Sequence, residues 1–368
     1  MPVPLLDLKA QHATIRDEVV SAMMRVVDDQ AFILGDPVEH LERQVAKLSN
    51  TRHAIGCANG TDAILLALRA LGIGVGDEVI TTPFTFFATA GAIHNVGARP
   101  VFADIDAASF NLNADAAAAV KTSKSKAVIP VDLFGQMAEL ERFTALDLPI
   151  IEDAAQTIGA RRDMPASRVR AGESVTIGTF SFFPSKNLGG YGDGGMMVTQ
   201  DDEIATRLRK LRVHGGLKTY HHEMVGYNSR LDALQAVVLS AKLPHLEAWS
   251  AARREHAKYY DDAFADLGGV RTPPIDKRNE SIYNQYTLRA EKRDQLQEHL
   301  KGRGVGSAIY YPVPLHLQPC FDYLGHKKGA FPESERAAAE VLSLPVYPEL
   351  TRSQQDEVIE AVHDFYRH

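Results

Sequence analysis

The chain has 368 residues, of which 45% are hydrophobic, and a net charge of −7 from 47 acidic and 40 basic side chains. This length allows about two domains, and the apolar content is ample for a large core. The sequence contains no basic block typical of nucleic-acid binding and no apolar run long enough to span a membrane, so neither nucleic acid nor membrane is an expected partner.

The first seven residues lack the charged and apolar regions of a signal peptide, and the only cysteines are Cys57 and Cys320. A disulfide framework is therefore not expected, and a reducing cytoplasm fits the composition. The fourteen histidines are scattered and form no zinc-ligand spacing with the two cysteines, so no metal site is predicted.

The first predicted elements are helices over residues 14–27 and 37–48. Residues 57–62 then predict a turn and a helix cap before the apolar helix over 63–68. A helix start of this kind presents free backbone N–H groups, so Gly60 and Thr61 could hold a phosphate there. An ordinary helix cap is the alternative interpretation of the same residues.

Apolar strands alternate with helical segments from residue 50 to about residue 200, and the clearest strands cover 77–82, 100–104, 126–131, 148–153 and 175–180. This alternation predicts an α/β fold with a mostly parallel sheet that helices cover on both faces. Ligands of such sheets bind at the carboxyl ends of strands. Phe86, Asp153 and Ser181 fall at or just beyond such ends.

Lys186 follows the last of these strands, with aromatic residues before it and five glycines within residues 189–195 after it. Partial burial at such a position would lower the pKa of the lysine and leave more of it as the neutral amine that attacks carbonyl groups. The glycines would let the backbone approach a flat, bulky ligand. A surface lysine on a glycine-rich turn is the alternative.

The later part of the chain is richer in helix. Helices are predicted over 204–211, 233–243, 245–264, 293–302, 334–342 and 353–366, with strands over 281–288 and 306–311. The sequence therefore predicts two domains, a large α/β domain over residues 1–245 and a smaller α+β domain over residues 246–368.

The singled-out residues match what pyridoxal phosphate requires of a protein. The aldehyde of this cofactor needs a lysine to form an imine, and its pyridine nitrogen needs a carboxylate that makes the ring an electron sink. The ring needs a flat aromatic neighbour, and the phosphate needs hydroxyl groups and a helix start. Lys186, Asp153, Phe86, Ser181 and the pair Gly60-Thr61 are of these types.

The sequence resembles the DegT/DnrJ/EryC1/StrS family of sugar aminotransferases, which are fold-type-I pyridoxal phosphate enzymes. The resemblance extends over nearly the whole chain and rests on several segments in order: 59–62 (NGTD), 76–80 (GDEVI), 152–156 (EDAAQ), 181–186 (SFFPSK), 192–195 (GDGG), 228–232 (NSRLD) and 311–312 (YP). It implies a large domain with a mostly parallel seven-stranded sheet and a smaller C-terminal α+β domain.

The resemblance also implies a role for each site residue. Lys186 would form the imine with the cofactor and act as the proton-shuttling base, and Asp153 would pair with the pyridinium nitrogen. Gln156 would lie near the ring hydroxyl and Phe86 would stack on the ring, whereas the phosphate would be held by Gly60, Thr61 and Ser181. Asn228 would reach that phosphate from the other subunit of a homodimer with shared active sites. Each of three residues has an alternative, purely structural role. Asn228 could cap the helix that starts at Ala233, Gln156 could be a solvated loop residue, and Phe86 could be part of the core.

The implied reaction is a ping-pong transfer of an amino group from L-glutamate to a nucleotide-linked ketosugar, which leaves as an amino sugar. Segments around 220–222, 228–230 and 310–319 resemble the branch that acts on 3-keto sugars, and 4-keto substrates are the alternative. Arg230, Tyr310, Tyr311 and His316 are candidate substrate contacts. Many relatives carry histidine where this chain has Tyr310, and Arg230 could instead form a structural ion pair with Asp232 or another acid.

Two rival functions are a dehydratase of the same fold and a regulator that binds the cofactor without catalysis. Dehydratases of this kind replace the lysine with histidine, so Lys186 argues against the first. A regulator would need a DNA-reading module, and the chain has no basic helix-turn-helix segment and no spare length for one.

Overall fold

A computed structural model describes residues 2–367 of the chain. The described residues form twelve α-helices: α1 (Leu8–Asp29), α2 (Asp36–Leu48), α3 (Gly60–Ala70), α4 (Phe87–Asn95), α5 (Ala114–Ala119), α6 (Leu140–Phe143), α7 (Asp202–Leu211), α8 (Ala233–Lys242), α9 (Leu246–Phe264), α10 (Arg293–Gly302), α11 (Pro332–Glu340) and α12 (Arg352–Arg367). None of these helices combines the length and apolarity that crossing a membrane requires.

The same residues form thirteen strands: β1 (His53–Cys57), β2 (Glu78–Thr81), β3 (Arg99–Phe102), β4 (Ser125–Val128), β5 (Ile151–Asp153), β6 (Arg161–Asp163), β7 (Arg168–Arg170), β8 (Ile177–Ser181), β9 (Gly195–Thr199), β10 (Val270–Arg271), β11 (Asn279–Glu280), β12 (Tyr286–Ala290) and β13 (Val341–Leu344).

Seven of these strands form the central sheet. β3, β2 and β4 pair in parallel, and β5, β8, β9 and β1 form a second group. Parallel bridges from Val128 to Ile150 and from Val131 to Asp153 join β4 to β5. The strand order is therefore β3-β2-β4-β5-β8-β9-β1, with β9 alone antiparallel to its neighbours. The predicted α/β class with a mostly parallel seven-stranded sheet is confirmed.

The strands of this sheet are buried on both faces. Phe180 and Met196 point to one face, where they pack with residues of α2 and α8, whereas Ile177 and Met197 point to the other, where they pack with α3, α4 and α7. Because both faces are covered, the strands are almost continuously apolar and do not alternate. Because β5 and β8 are parallel neighbours, their carboxyl ends lie at the same edge of the sheet. Asp153 ends β5 and Ser181 ends β8 at this edge.

The C-terminal part builds a second core around the antiparallel sheet β10-β12-β13. Residues of α9, α10 and α12 pack on this sheet, and Val3 from the N-terminal segment joins them and bridges to Val305. This is the smaller α+β unit that the resemblance implies. The boundary between residues 245 and 246 stays a prediction.

Several predicted elements differ in the structure, and the strand predicted over 281–288 begins only at Tyr286. The first helix begins at Leu8, earlier than the predicted residue 14, because the Asp7 side chain accepts hydrogen bonds from the N–H groups of Lys9 and Ala10 (3.0 and 2.9 Å). The strand predicted over 306–311 is reduced to one bridge from Ala308 to Ser343. Its place beside β12 is taken by β13, which the sequence indicated as the end of a helix.

Candidate active site

Lys186 lies in the turn that follows β8 and is partly buried. Its backbone N–H donates to the carbonyl oxygen of Phe183 (2.9 Å), which closes the turn. Burial lowers the pKa of the Lys186 ammonium to about 8, and the negative charge of Asp153 acts in the opposite direction. A lysine in this state supplies a sizeable fraction of neutral amine near neutral pH.

Asp153 ends β5 and is 5% exposed. The Thr89 hydroxyl donates to one of its carboxylate oxygens (2.8 Å) and the Ala155 N–H to the other (3.3 Å). Burial raises the pKa of Asp153, whereas these two hydrogen bonds and the Lys186 charge restrain the rise. The structure thus brings Asp153 and Lys186, 33 positions apart in the sequence, near enough for the charge of each to shift the pKa of the other.

The start of α3 lies against the end of β8. Asn59 caps the helix by accepting the N–H of Asp62 (2.8 Å), and no hydrogen bond links the N–H of Gly60 or Thr61 to any described residue. A Cβ atom on Gly60 would lie 2.6 Å from Cβ and 3.0 Å from Oγ of Ser181. Only glycine permits this approach, and the result is a cluster of N–H and hydroxyl donors suited to an anion.

Aromatic side chains stand beside these groups. Phe86 precedes α4, is 58% exposed and lies 6.2 Å from Tyr311 between ring centroids. Burial together with the charge of Asp153 raises the pKa of the Tyr311 hydroxyl, and the neighbouring Gln156 side chain acts against this rise. Gln156 is buried and its Oε1 accepts the N–H of Phe134 (2.6 Å). Phe86 is therefore not a core residue, and the exposed part of its ring is open to a ligand. Gln156 is buried, so it is not a solvated loop residue.

The other predicted site residues make no hydrogen bond or ion pair with Lys186, Asp153 or the start of α3 among the described residues. Asn228 is exposed and makes a backbone bridge to Val213. Arg230 is partly buried and forms no ion pair with Asp232 or any other described acid. Tyr310 is partly buried beside Tyr311, with ring centroids 5.9 Å apart.

His316 is 1% exposed, and its contacts lie in a separate apolar cluster. Its Nε2 is 3.0 Å from a carboxylate oxygen of Glu335, and its ring packs on Phe331 with centroids 4.7 Å apart. Burial lowers the pKa of this imidazole, although Glu335 acts against that shift. The structure therefore does not link His316 to Lys186 or Asp153.

Thr89 is a further residue of the candidate site and was not among the residues predicted from the sequence. It lies among the small residues that open α4, and its hydroxyl is fully buried between Thr85 and Asp153. The sequence did contain a signal for this residue, because a hydroxyl side chain stands in the otherwise apolar first turn of a helix that follows the end of a strand. Such a group needs a buried partner, and the nearest strand end supplies the Asp153 carboxylate.

The model of the DegT/DnrJ/EryC1/StrS aminotransferase family matches residues 13–363. The chain belongs to this family. It is therefore an aminotransferase by family, and the resemblance inferred from its motifs is confirmed. The match also agrees with the layout above, in which Lys186, Asp153 and the start of α3 meet at one edge of the sheet.

Individual relatives agree with this membership over their whole length. A Geobacillus stearothermophilus protein named pleiotropic regulatory protein is 50% identical, with 100% of both chains covered. The UDP-N-acetyl-3-dehydro-alpha-D-glucosamine 3-aminotransferase of Acidithiobacillus ferrooxidans is 45% identical, covering 96% of this chain and 95% of the relative. The crystal structure of S. venezuelae DesV in complex with a ketimine intermediate is 40% identical, with a TM-score of 0.97 over 100% of this chain and 99% of that one.

Proposed function

We propose that this family member is a pyridoxal phosphate-dependent aminotransferase that moves an amino group from L-glutamate to a 3-keto nucleotide sugar. The observation that carries the proposal is the charge interaction between Lys186, a lysine with lowered pKa after β8, and the buried carboxylate of Asp153 at the end of the adjacent strand β5. An amine and a carboxylate so arranged are what the two ends of this cofactor require.

The residues around this pair fit the cofactor. The free N–H groups at the start of α3 and the Ser181 hydroxyl would hold its phosphate. The exposed ring of Phe86 offers a flat face, and Gln156 lies beside Tyr311 at the same edge of the sheet. When bound, pyridoxal phosphate would supply an aldehyde that accepts the amino group and a ring that stabilises negative charge at the donor's Cα.

The chain's own residues would then perform proton transfer and orientation. Lys186 Nζ would move a proton from the donor's Cα to the cofactor in the first half-reaction and from the cofactor to the acceptor's carbonyl carbon in the second. Its lowered pKa favours this role because the neutral amine is the base. Asp153 would remain charged and hold the pyridine nitrogen proton, with Thr89 fixing the carboxylate orientation. Since one site serves both substrates in turn, ping-pong kinetics are expected.

The acceptor is inferred from relatives and from the side chains at the site. The 45% identical relative is named for a 3-keto (3-dehydro) UDP-sugar, which favours a substrate of that class, attached to UDP or dTDP. Arg230 is available to bind a diphosphate or a sugar carboxylate, because it forms no ion pair with a described acid. Tyr310 and Tyr311 are further candidates beside the site. A 4-keto nucleotide sugar is the alternative acceptor.

A regulatory function is the second candidate, because the 50% identical relative is named a pleiotropic regulatory protein. A regulator of this fold would bind the cofactor or a sugar without turning it over. Lys186 favours catalysis over this alternative, because a lysine with a lowered pKa near a buried carboxylate is suited to act as a base in proton transfer. An assay of turnover separates the two functions.

We also propose that the active unit is a homodimer with shared sites. Asn228 is exposed and uncommitted by side-chain contacts within its own described chain, so it is free to reach the phosphate site of a second copy. Exposed apolar residues on and after α1, among them Met24 and Ile33, provide surface that a partner would bury.

The test uses the full-length protein with pyridoxal phosphate. Addition of L-glutamate should bleach the yellow colour of the bound cofactor and release one equivalent of 2-oxoglutarate. The bleached enzyme is then mixed with a panel of 3-keto and 4-keto nucleotide sugars. We expect Lys186→Ala to abolish both half-reactions and the exposed-lysine control Lys258→Ala to preserve them. Absence of bleaching with every amino donor would remove the transaminase proposal.

A further inference from the structure

Lys242, the last residue of α8, is 3% exposed, which is unusual for a lysine. Its Nζ donates to the carbonyl oxygen of Gly189 (2.7 Å) and lies 4.6 Å from the centroid of the Tyr191 ring. No described carboxylate forms an ion pair with it. Burial lowers its pKa to about 8, against a weaker opposite effect of Glu349. Burying an ammonium without an ion pair is costly, so its few contacts must compensate.

Gln235 lies on the same face of α8, seven residues before Lys242, which is about two turns. Its Oε1 accepts the N–H of Tyr191 (2.8 Å). A Cβ atom on Gly190 would lie 2.8 Å from this Oε1, and one on Gly192 would lie 3.0 Å from Nε2. The helix therefore contacts the backbone of the glycine-rich segment directly, and glycines make that contact possible.

This glycine-rich segment is tied to the turn that carries Lys186. The N–H of Gly190 donates to the carbonyl oxygen of Phe182 (2.8 Å). A Cβ atom on Gly189 would lie 2.2 Å from the carbonyl oxygen of Pro184, so the backbone folds back on the residues that immediately precede Lys186. A displacement of Gly189 or Gly190 would therefore move the backbone on both sides of Lys186.

The outer side of the same turn has little other support. An open cavity of about 260 Å³ is lined by Pro184, Gly190, Tyr191 and Lys242 together with Leu8 and His12 of the N-terminal segment. Because this space is not filled by the described side chains, the backbone on this side is restrained by the hydrogen bonds from α8, whereas His12 of α1 contacts only the Tyr191 side chain, through its hydroxyl (2.5 Å) and its ring. Without them the turn could relax into the cavity and admit water around Lys186.

We propose that Lys242 and Gln235 are positioning residues for Lys186, acting through the backbone of Gly189 and Tyr191. Neither side chain touches Lys186 itself, so neither is a catalytic residue. The kinetic part of this inference rests on the proposed role of Lys186 as the base. The part that concerns the geometry and hydration of Lys186 does not, because it can be measured in the absence of cofactor.

The test compares Lys242→Met, which keeps the length but removes the donor, with Lys242→Arg, which keeps charge and donors. The control is Lys258→Met on the exposed face of α9. In the full chain without cofactor, the pH midpoint for trace acetylation of Lys186 by acetic anhydride is measured by peptide mass spectrometry. We expect Lys242→Met to raise this midpoint from about 8 by roughly one pH unit as Lys186 becomes hydrated.

With cofactor and substrates, Lys242→Met should lower kcat about tenfold with KM changed less than about threefold, because a misplaced base slows the chemical step. Lys242→Arg should restore both the midpoint and kcat. An unchanged midpoint together with normal kcat in Lys242→Met would overturn the inference and leave the proposed function intact. If Lys242→Met does not fold, Gln235→Met is judged by the same two measurements, and unchanged values there overturn the inference equally.

Discussion

Asp132 and Glu152 are interacting carboxyl groups with fully buried side chains, and the charge of Asp132 raises the pKa of Glu152. Asp132 accepts the N–H of Ala138 and the hydroxyl of Thr157 (2.8 and 2.7 Å), whereas Glu152 Oε2 accepts the N–H of Gly172 (2.7 Å). No described donor reaches Glu152 Oε1. Because burial and mutual repulsion disfavour two negative charges on such a pair, we expect the two carboxyl groups to hold one proton between them.

This pair predicts a pH dependence of stability. Burial raises the pKa of Asp132 to about 6 and that of Glu152 well above its usual value, and the neighbouring charge of Asp153 adds to both shifts. Between the unfolded pKa of about 4 and these folded values, the folded state binds more protons than the unfolded state. The pair's contribution is therefore complete below about pH 4 and declines as pH rises from there through 6, continuing above 6 because the pKa of Glu152 is raised further.

Glu152→Gln should reduce this decline, because its amide group donates to Asp132 without a proton to lose. We expect the melting temperature of the variant, relative to the unmodified protein, to rise as the pH increases from about 5 through 6 and above, because the pKa of Glu152 is raised in the folded protein. Thermal unfolding at several pH values measures it, with Glu203→Gln on the exposed face of α7 as the control. Parallel pH profiles for the unmodified protein and Glu152→Gln would contradict the shared proton.

Thr89→Val tests the hydroxyl that holds Asp153. Valine has nearly the same shape but cannot donate, so the buried carboxylate loses its 2.8 Å hydrogen bond and its pKa should rise further. A hydrogen bond to a charged group contributes about 1.5–3 kcal/mol, which corresponds to a loss in kcat/KM of about tenfold to a hundredfold. The measurement is steady-state kinetics together with the affinity for pyridoxal phosphate.

Thr89→Ser is the matched control, because serine keeps the hydroxyl. It should retain kcat/KM within about threefold of the unmodified enzyme, since the donor to Asp153 is preserved. Equal activity of the valine and serine variants would show that the hydroxyl does not act on Asp153.

The local chemistry of the sequence was enough to predict the residues that end strands or begin helices. Gly60, Asp153, Ser181 and Lys186 stand at such points, and the parallel sheet then brings them to one edge. The alternation of apolar segments predicted that sheet, because buried parallel strands have a distinct apolar pattern.

Contacts that depend on pairing between distant segments could not be predicted in the same way. Asp132 meets Glu152 because Val131 pairs with Asp153, and nothing in either segment specifies that register. β9 begins within the glycine-rich run, and β13 follows a helical pattern without a turn residue, so neither had a local signal. Lys242 likewise sits in an ordinary helical pattern, and only the fold places Gly189 beside it.

Arg162 links the N-terminal and C-terminal parts of the chain through ion pairs, so its loss is expected to lower the stability of the protein. It lies in β6 with no exposure and donates to Glu141 (2.7 and 3.1 Å) and to Asp276 (3.1 Å), which precedes β11. Arg162→Met would remove three hydrogen bonds to charged groups, although Glu141 and Asp276 would keep Arg278 as a partner (2.7 and 2.8 Å). A loss of about 1.5–3 kcal/mol in the free energy of unfolding is therefore expected.

Urea denaturation provides the measurement, and Arg168→Met is the control. Arg168 pairs with Glu280 but its side chain is 49% exposed, so its loss should cost less than about 1 kcal/mol. Similar losses of unfolding free energy in the two variants would show that the burial of Arg162 does not determine how much it contributes to stability.

Gly60→Ala tests the close approach between α3 and β8. The added methyl group would lie 2.6 Å from Cβ of Ser181, so one of the two segments must shift. We expect a loss of about 1–3 kcal/mol in unfolding free energy from this overpacking. The shift would also separate the helix start from the Ser181 hydroxyl, so the affinity for pyridoxal phosphate should fall at least about tenfold. Gly268→Ala is the control, because a Cβ atom there would have no neighbour within 4 Å. Retained cofactor affinity in Gly60→Ala, measured by fluorescence titration on folded protein, would place the phosphate elsewhere.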